Sequence, residues 1–311
     1  MKVLITGGAG FIGNHTTNLF LDAGHQVTVY DDLSKGYKEY VDKRAIFVKK
    51  PLENLKALQK AMKGHDGVIH FAAESIIKDS IQNPRKTLGR NFNNALNVLE
   101  AMRLTGIKKI VASSSAAVYG ETGHKFIEED VIKEPLQPYG ASKLAVEAMF
   151  SAYHHAFGMD CTSLRYFNVY GPRDDQLPVT RAVPNWIKAI LLDKKIQLYW
   201  QGKQARDYSY VKDVAAAHLL AFEKCSGLRY YNIGSGKANT MLDILEAVFK
   251  ATGKKVPIED LGERPGDPHR LISDISKIKK ELGWKPKVNL DEGMQETVAF
   301  YKAHPESLRR I

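Results

Sequence analysis

Cysteine is almost missing from this 311-residue sequence: only Cys161 and Cys225 occur. Two are too few for a disulfide framework, and neither stands at a ligand-like spacing from histidine, so the expectation is a reducing compartment and no metal site. Also missing is any apolar run near the roughly 18 residues that a membrane helix needs. Met1 leads straight into a strand-like segment rather than into the basic and apolar regions of a signal peptide, which points to the cytoplasm and to no membrane partner. Acidic charge is in deficit, with 45 Lys and Arg against 35 Asp and Glu for a net +10. Such an excess could favour an anionic partner, yet the basic residues are scattered among acids, as from Lys277 to Glu281. A solvated basic surface is therefore expected rather than a nucleic-acid stripe. There are no internal repeats and no low-complexity linker. At 44% hydrophobic, 26% charged, 24 Gly and 12 Pro, the composition excludes a disordered or collagen-like chain.

What is present is an alternation of two patterns. Short apolar, β-branched runs cover Lys2–Thr6, Gln26–Asp31, Ala45–Lys49, Gly67–Ala72, Lys108–Ser113 and Asp160–Phe167. They are too apolar for strands with one wet face, so they suit a parallel sheet covered on both sides. Helical stretches lie between them, including Phe11–Ala23, Pro84–Thr105 and Pro138–Phe157. This order predicts an α/β fold with a doubly wound parallel sheet, whose ligands sit beyond the carboxyl ends of the strands. After about Val169 the pattern changes, with a Gly171-Pro-Arg turn, Pro178, Pro184 and a helix from about Asn185 to Leu192. A second, smaller α/β lobe is expected there. Residues 1–168 would form the first lobe, rejoined by about 207–235, and 169–311 the second.

Glycines at 7, 10 and 13 follow the first strand and open the first helix. Gly7 and Gly10 permit a tight turn and close approach to a pyrophosphate, the helix amides face the anion, and Gly13 lets helix and strand pack closely. The second strand ends in Asp31 and Asp32 about twenty residues on, where a carboxylate can accept from the adenosine ribose. A carboxylate would repel a 2′-phosphate, so the expected cofactor is NAD rather than NADP.

Tyr139 and Lys143 form a Tyr-x-x-x-Lys pair at the start of the Pro138–Phe157 helix, and residues four apart share one face. A tyrosine acting as a base near neutral pH needs its pKa lowered by roughly three units from about 10, or about 4 kcal/mol in favour of the phenolate. The Lys143 ammonium and a positive nicotinamide ring would supply that field. Such a pair also arises by chance on many helices. Ser113-Ser114-Ser115, at the end of the fifth strand, adds a hydroxyl at the same sheet edge.

Several further segments complete a pattern: Ser-Ser-Ser-Ala-Ala-Val-Tyr-Gly, Arg165-Tyr-Phe-Asn-Val-Tyr-Gly-Pro172, Arg206-Asp-Tyr-Ser-Tyr-Val, Asn232-Ile-Gly-Ser-Gly and Arg264-Pro-Gly-Asp-Pro. With the glycine turn and Tyr139-Gly-Ala-Ser-Lys143, they resemble the extended short-chain dehydrogenase/reductases over positions 2 to 288. Within that superfamily the motifs are most similar to those of the UDP-glucose 4-epimerases. The resemblance implies a Rossmann-type first lobe, NAD as cofactor, a UDP-sugar as substrate and a homodimer built from paired helices. Residue by residue, it implies that Tyr139 is the base, that Lys143 orients the nicotinamide ribose, and that Ser115 shares the sugar 4-hydroxyl proton. Gly7, Gly10, Phe11, Ile12, Gly13, Asp31, Asp32, Phe71, Ala72, Asn91, Ser113, Tyr166 and Phe167 match cofactor-binding positions. Asn168, Tyr199, Arg206, Arg264 and Asp267 match positions that hold UDP, with Tyr199 on uracil, the arginines on pyrophosphate and Asp267 on ribose. Two departures stand out: Pro51 replaces an Asp usual near the adenine, and Trp200 replaces a glycine.

Oxidation at sugar carbon 4, rotation of the ketone and return of the hydride would invert that carbon without net redox change. Dehydratases of the superfamily need an acid and a base just before Val118, and decarboxylases usually have Glu at the second of those positions. Here both are alanine, Ala116 and Ala117, and methyl groups move no protons. A non-catalytic NAD or nucleotide-sugar sensor and a nucleic-acid binder remain as readings from other classes, the latter without a recognition motif. Leu271, Ser75 and Ala182 match sugar-wall positions that are bulky in enzymes restricted to plain hexoses, so UDP-GlcNAc and UDP-GalNAc are expected substrates alongside UDP-glucose and UDP-galactose. His15, His70, His154 and His155 read as packing or surface histidines.

Overall fold

A computed structural model describes residues 1–175, 181–263 and 268–310. Arg264 and Asp267, two of the expected UDP contacts, lie outside the described residues. The first part of the chain alternates β1 (Lys2–Thr6), α1 (Phe11–Asp22), β2 (Gln26–Asp31), β3 (Ile46–Lys49), α2 (Leu55–Met62), β4 (Gly67–His70), α3 (Ile77–Gln82), α4 (Pro84–Thr105), β5 (Lys109–Ser115), α5 (Pro138–Phe157) and β6 (Asp160–Tyr166). There follow β7 (Asn168–Tyr170), α6 (Ala182–Leu191), β8 (Ile196–Leu198), β9 (Ala205–Arg206), β10 (Tyr208–Tyr210), α7 (Val211–Lys224) and β11 (Leu228–Ile233). The chain ends with β12 (Asn239–Thr240), α8 (Met241–Thr252), β13 (Ile258–Asp260), β14 (Arg270–Leu271), α9 (Ser276–Leu282), α10 (Leu290–Ala303) and α11 (Pro305–Arg310).

Seven parallel strands form the central sheet in the order β11-β6-β5-β4-β1-β2-β3. Successive residues of β1 face opposite sides, which explains why the strand is apolar throughout. Val3 and Ile5 join Phe20 of α1 and Val214, Ala221 and Phe222 of α7, whereas Leu4 joins Leu58 of α2, Leu99 of α4 and Phe150 of α5. The winding direction reverses between β1 and β4, so the loops at their carboxyl ends diverge and leave a crevice. Local signals set the helices bordering it. Asn83 caps α4 through Lys86 N, Pro84 takes its first turn, and Gly106 ends it at φ 78°. α5 opens on Pro138 and stops at Gly158, φ 62°. A further core, with Trp186 and Ile190 of α6, Ile244 and Val248 of α8, and Val298 of α10, packs the later helices together.

Candidate active site

The crevice is a cleft of about 940 Å³. Along it lie Gly7, Gly10, Phe11, Ile12, Gly13, Asp31, Asp32, Phe71, Ala72, Ser75, Ser113, Ser115, Tyr139, Lys143, Tyr166 and Phe167 from the earlier part of the chain, and Asn168, Ala182, Tyr199 and Arg206 from the later part. Two expected residues are placed elsewhere. Asn91 is buried behind the wall, where its amide accepts from Glu74 N (2.7 Å) and donates to Glu74 O (3.0 Å) and Ser142 Oγ (2.9 Å). It therefore shapes the loop carrying Ser75 from behind. Leu271 packs on the Ala116, Val118, Tyr119, Ile127 and Phe167 cluster, outside the cleft lining, because that apolar cluster claims its half-buried side chain.

The glycine turn fits a dinucleotide for steric reasons visible here. Gly7 has φ 69°, and a Cβ on it would lie 2.6 Å from Ala72 N; a Cβ on Gly13 would lie 2.1 Å from Gly7 O. Side chains at these positions would push β1, β4 and α1 apart and fill the cradle a pyrophosphate needs. Asp31 ends β2 and accepts from Ala9 N (3.0 Å) and Leu33 N (2.8 Å). Burial raises its pKa, against those two hydrogen bonds. Its carboxylate is thus held rigidly at the cleft, where a ribose diol can donate to the remaining lone pairs.

On the other side of the switch point, three consecutive serines of β5 meet three residues spaced four apart on α5. Ser115 hydrogen-bonds the Tyr139 phenol. Lys143 Nζ donates to Ser113 O (2.9 Å) and Ser113 Oγ (3.2 Å). Ser114 Oγ donates to Glu147 Oε1 (2.7 Å), and Arg165 grips the same carboxylate through Nε (2.9 Å) and Nη2 (2.7 Å). The sequence reading missed Ser114, Glu147 and Arg165; the periodicity 139, 143, 147 was the signal for Glu147, but its partner arrives only with β6. Arg165 is fixed further by Tyr119 OH and Glu129 O.

Burial dominates the electrostatics. It brings Lys143 down to about 8, with the Glu147 carboxylate opposing. It raises Tyr139, while the Ser115 hydrogen bond and the Arg181 charge pull the other way. Arg181, also missed, is paired with Asp174 and lies 5.5 Å from the Phe11 ring centroid. The Lys143 ammonium is 6.0 Å from the Tyr139 ring centroid. The chain's own charges therefore do not offset desolvation of the phenol, and a cationic nicotinamide ring held in the cleft would add to them. The histidines are structural: His70 meets Thr6 Oγ1 (2.7 Å) and is lowered by burial to about 3, and His218 meets Tyr166 OH (2.6 Å) and is lowered to about 4. His15 bonds Pro172 O (2.9 Å).

Where the cleft reaches Arg206, Asp207 organises the strand that carries it. It is fully buried and accepts from Ser235 N and Oγ, Gly236 N, and Ser273 N and Oγ. Trp200 and Gln201 adopt φ 49° and 52°, an uncommon left-handed pair without glycine. They are held by Trp200 N to Gly262 O (2.7 Å), Gln201 N to Asp260 Oδ1 (3.1 Å), and a Trp200–His269 stack with centroids 4.1 Å apart. The departure at Trp200 thus builds an aromatic tie beside Tyr199.

The model of the GDP-mannose 4,6 dehydratase family matches residues 4–297. A UDP-glucose 4-epimerase of Lactobacillus helveticus is 35% identical, covering 98% of both chains. The structure of the Thermotoga maritima UDP-glucose 4-epimerase with UDP-glucose superposes with a TM-score of 0.93 at 34% identity, over 98% of this chain and 100% of that one. That of the Thermus thermophilus UDP-glucose 4-epimerase complex with NAD gives 0.91 at 37% identity, over 97% and 99%. With the glycine cradle, the Ser-Tyr-Lys face and a match along nearly the whole length, this chain belongs to the GDP-mannose 4,6 dehydratase family of extended short-chain dehydrogenase/reductases.

Proposed function

We propose that the protein catalyses NAD-dependent 4-epimerisation of a UDP-hexose through a 4-keto sugar. The observation that carries this reading is one cleft that joins the glycine cradle and Asp31 to the Ser115–Tyr139–Lys143 face and then to Tyr199 and Arg206. Bound there, NAD would supply a reversible hydride acceptor for sugar carbon 4. Tyr139 takes the 4-hydroxyl proton and later returns it, Ser115 holds that oxygen, and the Lys143 ammonium stabilises the phenolate. Arg206 takes phosphate oxygens and Tyr199 the uracil face, as their side-chain chemistry suits. Arg264 and Asp267 are assigned to the same ligand by resemblance.

Dehydration, for which the matched family is named, is with decarboxylation the second reading. It requires a proton carrier after Ser115, and the turn there holds only Ala116 and Ala117. We further propose that residues 1–168, rejoined by 207–235, bind the dinucleotide and the remainder the sugar nucleotide. A homodimer through α4 and α5 is supported by the exposed Leu88 and Phe92 of α4. Residence in the cytoplasm is supported by the two free, buried thiols; among the described residues no helix is long and apolar enough to cross a membrane. The test is to incubate the purified protein and NAD with UDP-glucose, UDP-galactose, UDP-GlcNAc and UDP-GalNAc and to follow C4 epimers by NMR. Interconversion within a pair is expected; no turnover of any of the four would overturn the proposal.

A further inference from the structure

Arg181 is a cation in the cleft for which a neutral sugar has no use. It stands immediately before α6 and lines the cleft with Tyr139 and Ala182, and its side chain is 37% exposed, so a molecule lying there can reach it. Its place is fixed from behind. Nε and Nη2 both turn to Oδ1 of Asp174, a residue 1% exposed, and among the described residues Nη1 is left without an acceptor. Asp174 is in turn held by its neighbours: Arg173 Nη1 donates to Asn14 Oδ1 of α1 (3.0 Å), and Asp175 Oδ2 accepts from Tyr40 OH (2.6 Å). The guanidinium carbon stands 5.5 Å from the Phe11 ring centroid, and its charge reaches the Tyr139 phenol. It therefore belongs to the reacting end of the cleft. A UDP-hexose leaves it nothing anionic there, since the glycine cradle receives the dinucleotide pyrophosphate and Arg206 the phosphates of UDP.

From the assignment of the cleft to a UDP-sugar that reacts at carbon 4, on which this inference rests, we propose that Arg181 receives a carboxylate at sugar carbon 6, which makes UDP-glucuronate and UDP-galacturonate substrates favoured over the plain hexoses. Carbon 6 is two bonds from carbon 4, so a cation that reaches the base acting at carbon 4 is in range of a group at carbon 6. An arginine already clamped by one carboxylate can take a second, since it carries five donors in a planar fork. The same contact protects the product. Removal of hydride from carbon 4 leaves a ketone β to the carboxylate, and loss of carbon dioxide would break the C5–C6 bond and move its electron pair into a ring enolate. A guanidinium on the carboxylate stabilises the charge where it stands and so opposes that loss. Ala116 and Ala117 place no acid to protonate the enolate carbon. The ketone therefore turns over as it does in a hexose, and the carboxylate is retained.

The test is to follow UDP-glucuronate, its carbon-6 amide and UDP-glucose by NMR with the NAD-loaded protein, for the unsubstituted chain and for Arg181→Gln. The unsubstituted chain should turn UDP-glucuronate into UDP-galacturonate with kcat/KM above that for UDP-glucose. It should lose about 10- to 150-fold with the amide, which keeps the shape and drops the charge. Arg181→Gln should bring acid and amide to near equality. Because the guanidinium also acts on Tyr139, a loss common to every substrate is expected in the variant, and the acid-to-amide ratio is the quantity that decides. The inference is overturned by equal kcat/KM for acid and amide in the unsubstituted chain, by a UDP-pentose as product, or by an unchanged ratio in Arg181→Gln, which would leave the carboxylate to Lys78 of the cleft lining. Loss of bound NAD from the folded variant would place the cation on the dinucleotide and overturn it too. The amide comparison needs no variant, so a failure of Arg181→Gln to fold leaves the inference exposed. Conversion of UDP-glucose without UDP-glucuronate removes this inference alone, whereas conversion of neither removes the proposed function as well.

Discussion

Glu147→Gln separates the charge behind Lys143 from its shape. The two residues are one helical turn apart on α5, a spacing that puts Cβ atoms about 5–6 Å from each other. A unit charge at about 6 Å in an effective dielectric of about 20 interacts by about 2.8 kcal/mol, or about two pKa units. Arg165 sits on the same carboxylate at 2.7 and 2.9 Å, but its charge is present with or without the carboxylate, so the whole Glu147 contribution of about two units is lost in the variant. Burial has already lowered Lys143 to about 8, with Glu147 the opposing influence. Losing an anion disfavours the ammonium further, so the pKa falls. Turnover requires the ammonium, so the alkaline limb of kcat against pH should move down by about two units and activity at pH near 8 should drop. The same change strands the Arg165 charge, which is 2% exposed, at a cost of about 3–5 kcal/mol. The assay is kcat for UDP-galactose conversion across pH, with urea unfolding and bound NAD as controls for folding. An alkaline limb that stays where it was in a folded, NAD-loaded variant, or that moves upward, refutes the argument.

Tyr139→Phe should remove most turnover while NAD stays bound, since the hydroxyl moves the proton and the ring still packs; near-normal kcat in the folded variant would overturn the base assignment. Asp31→Ala strips the acceptor from the Ala9 and Leu33 amides as well as from the ribose, so NAD affinity should fall at least about tenfold, measured by cofactor retained through gel filtration. An unchanged affinity, or NADP as the extracted cofactor, would sink that reading. Selectivity at the sugar wall should follow Ala182, which lines the cleft, rather than Leu271. Ala182→Tyr is expected to lower kcat/KM for the acetamido sugars by about 5- to 150-fold relative to the plain hexoses, and equal losses on both pairs would refute it.

Much of this protein was legible in the order of its residues. The runs at Lys2–Thr6 and Gln26–Asp31 and the helices Pro84–Thr105 and Pro138–Phe157 appear with those bounds, because strand burial, proline at a first turn and glycine after a last turn are local effects. The glycine turn, Asp31 and the Tyr139–Lys143 pair were legible for the same reason: each requires a particular residue type within a short span. Tertiary structure decided what depends on residues far apart in the chain. Arg165 reads from sequence as one more cation, and only the β5–β6 register brings it onto Glu147 behind Lys143. Leu271 was assigned to the sugar wall by position in a motif, but packing against Phe167 and Tyr119 claims it. The direction of the Tyr139 shift belongs here too. Residue types along the helix suggest a lowered phenol, whereas burial, a property of the whole fold, raises it, because the cost of desolvating a phenolate grows with every neighbour that excludes water.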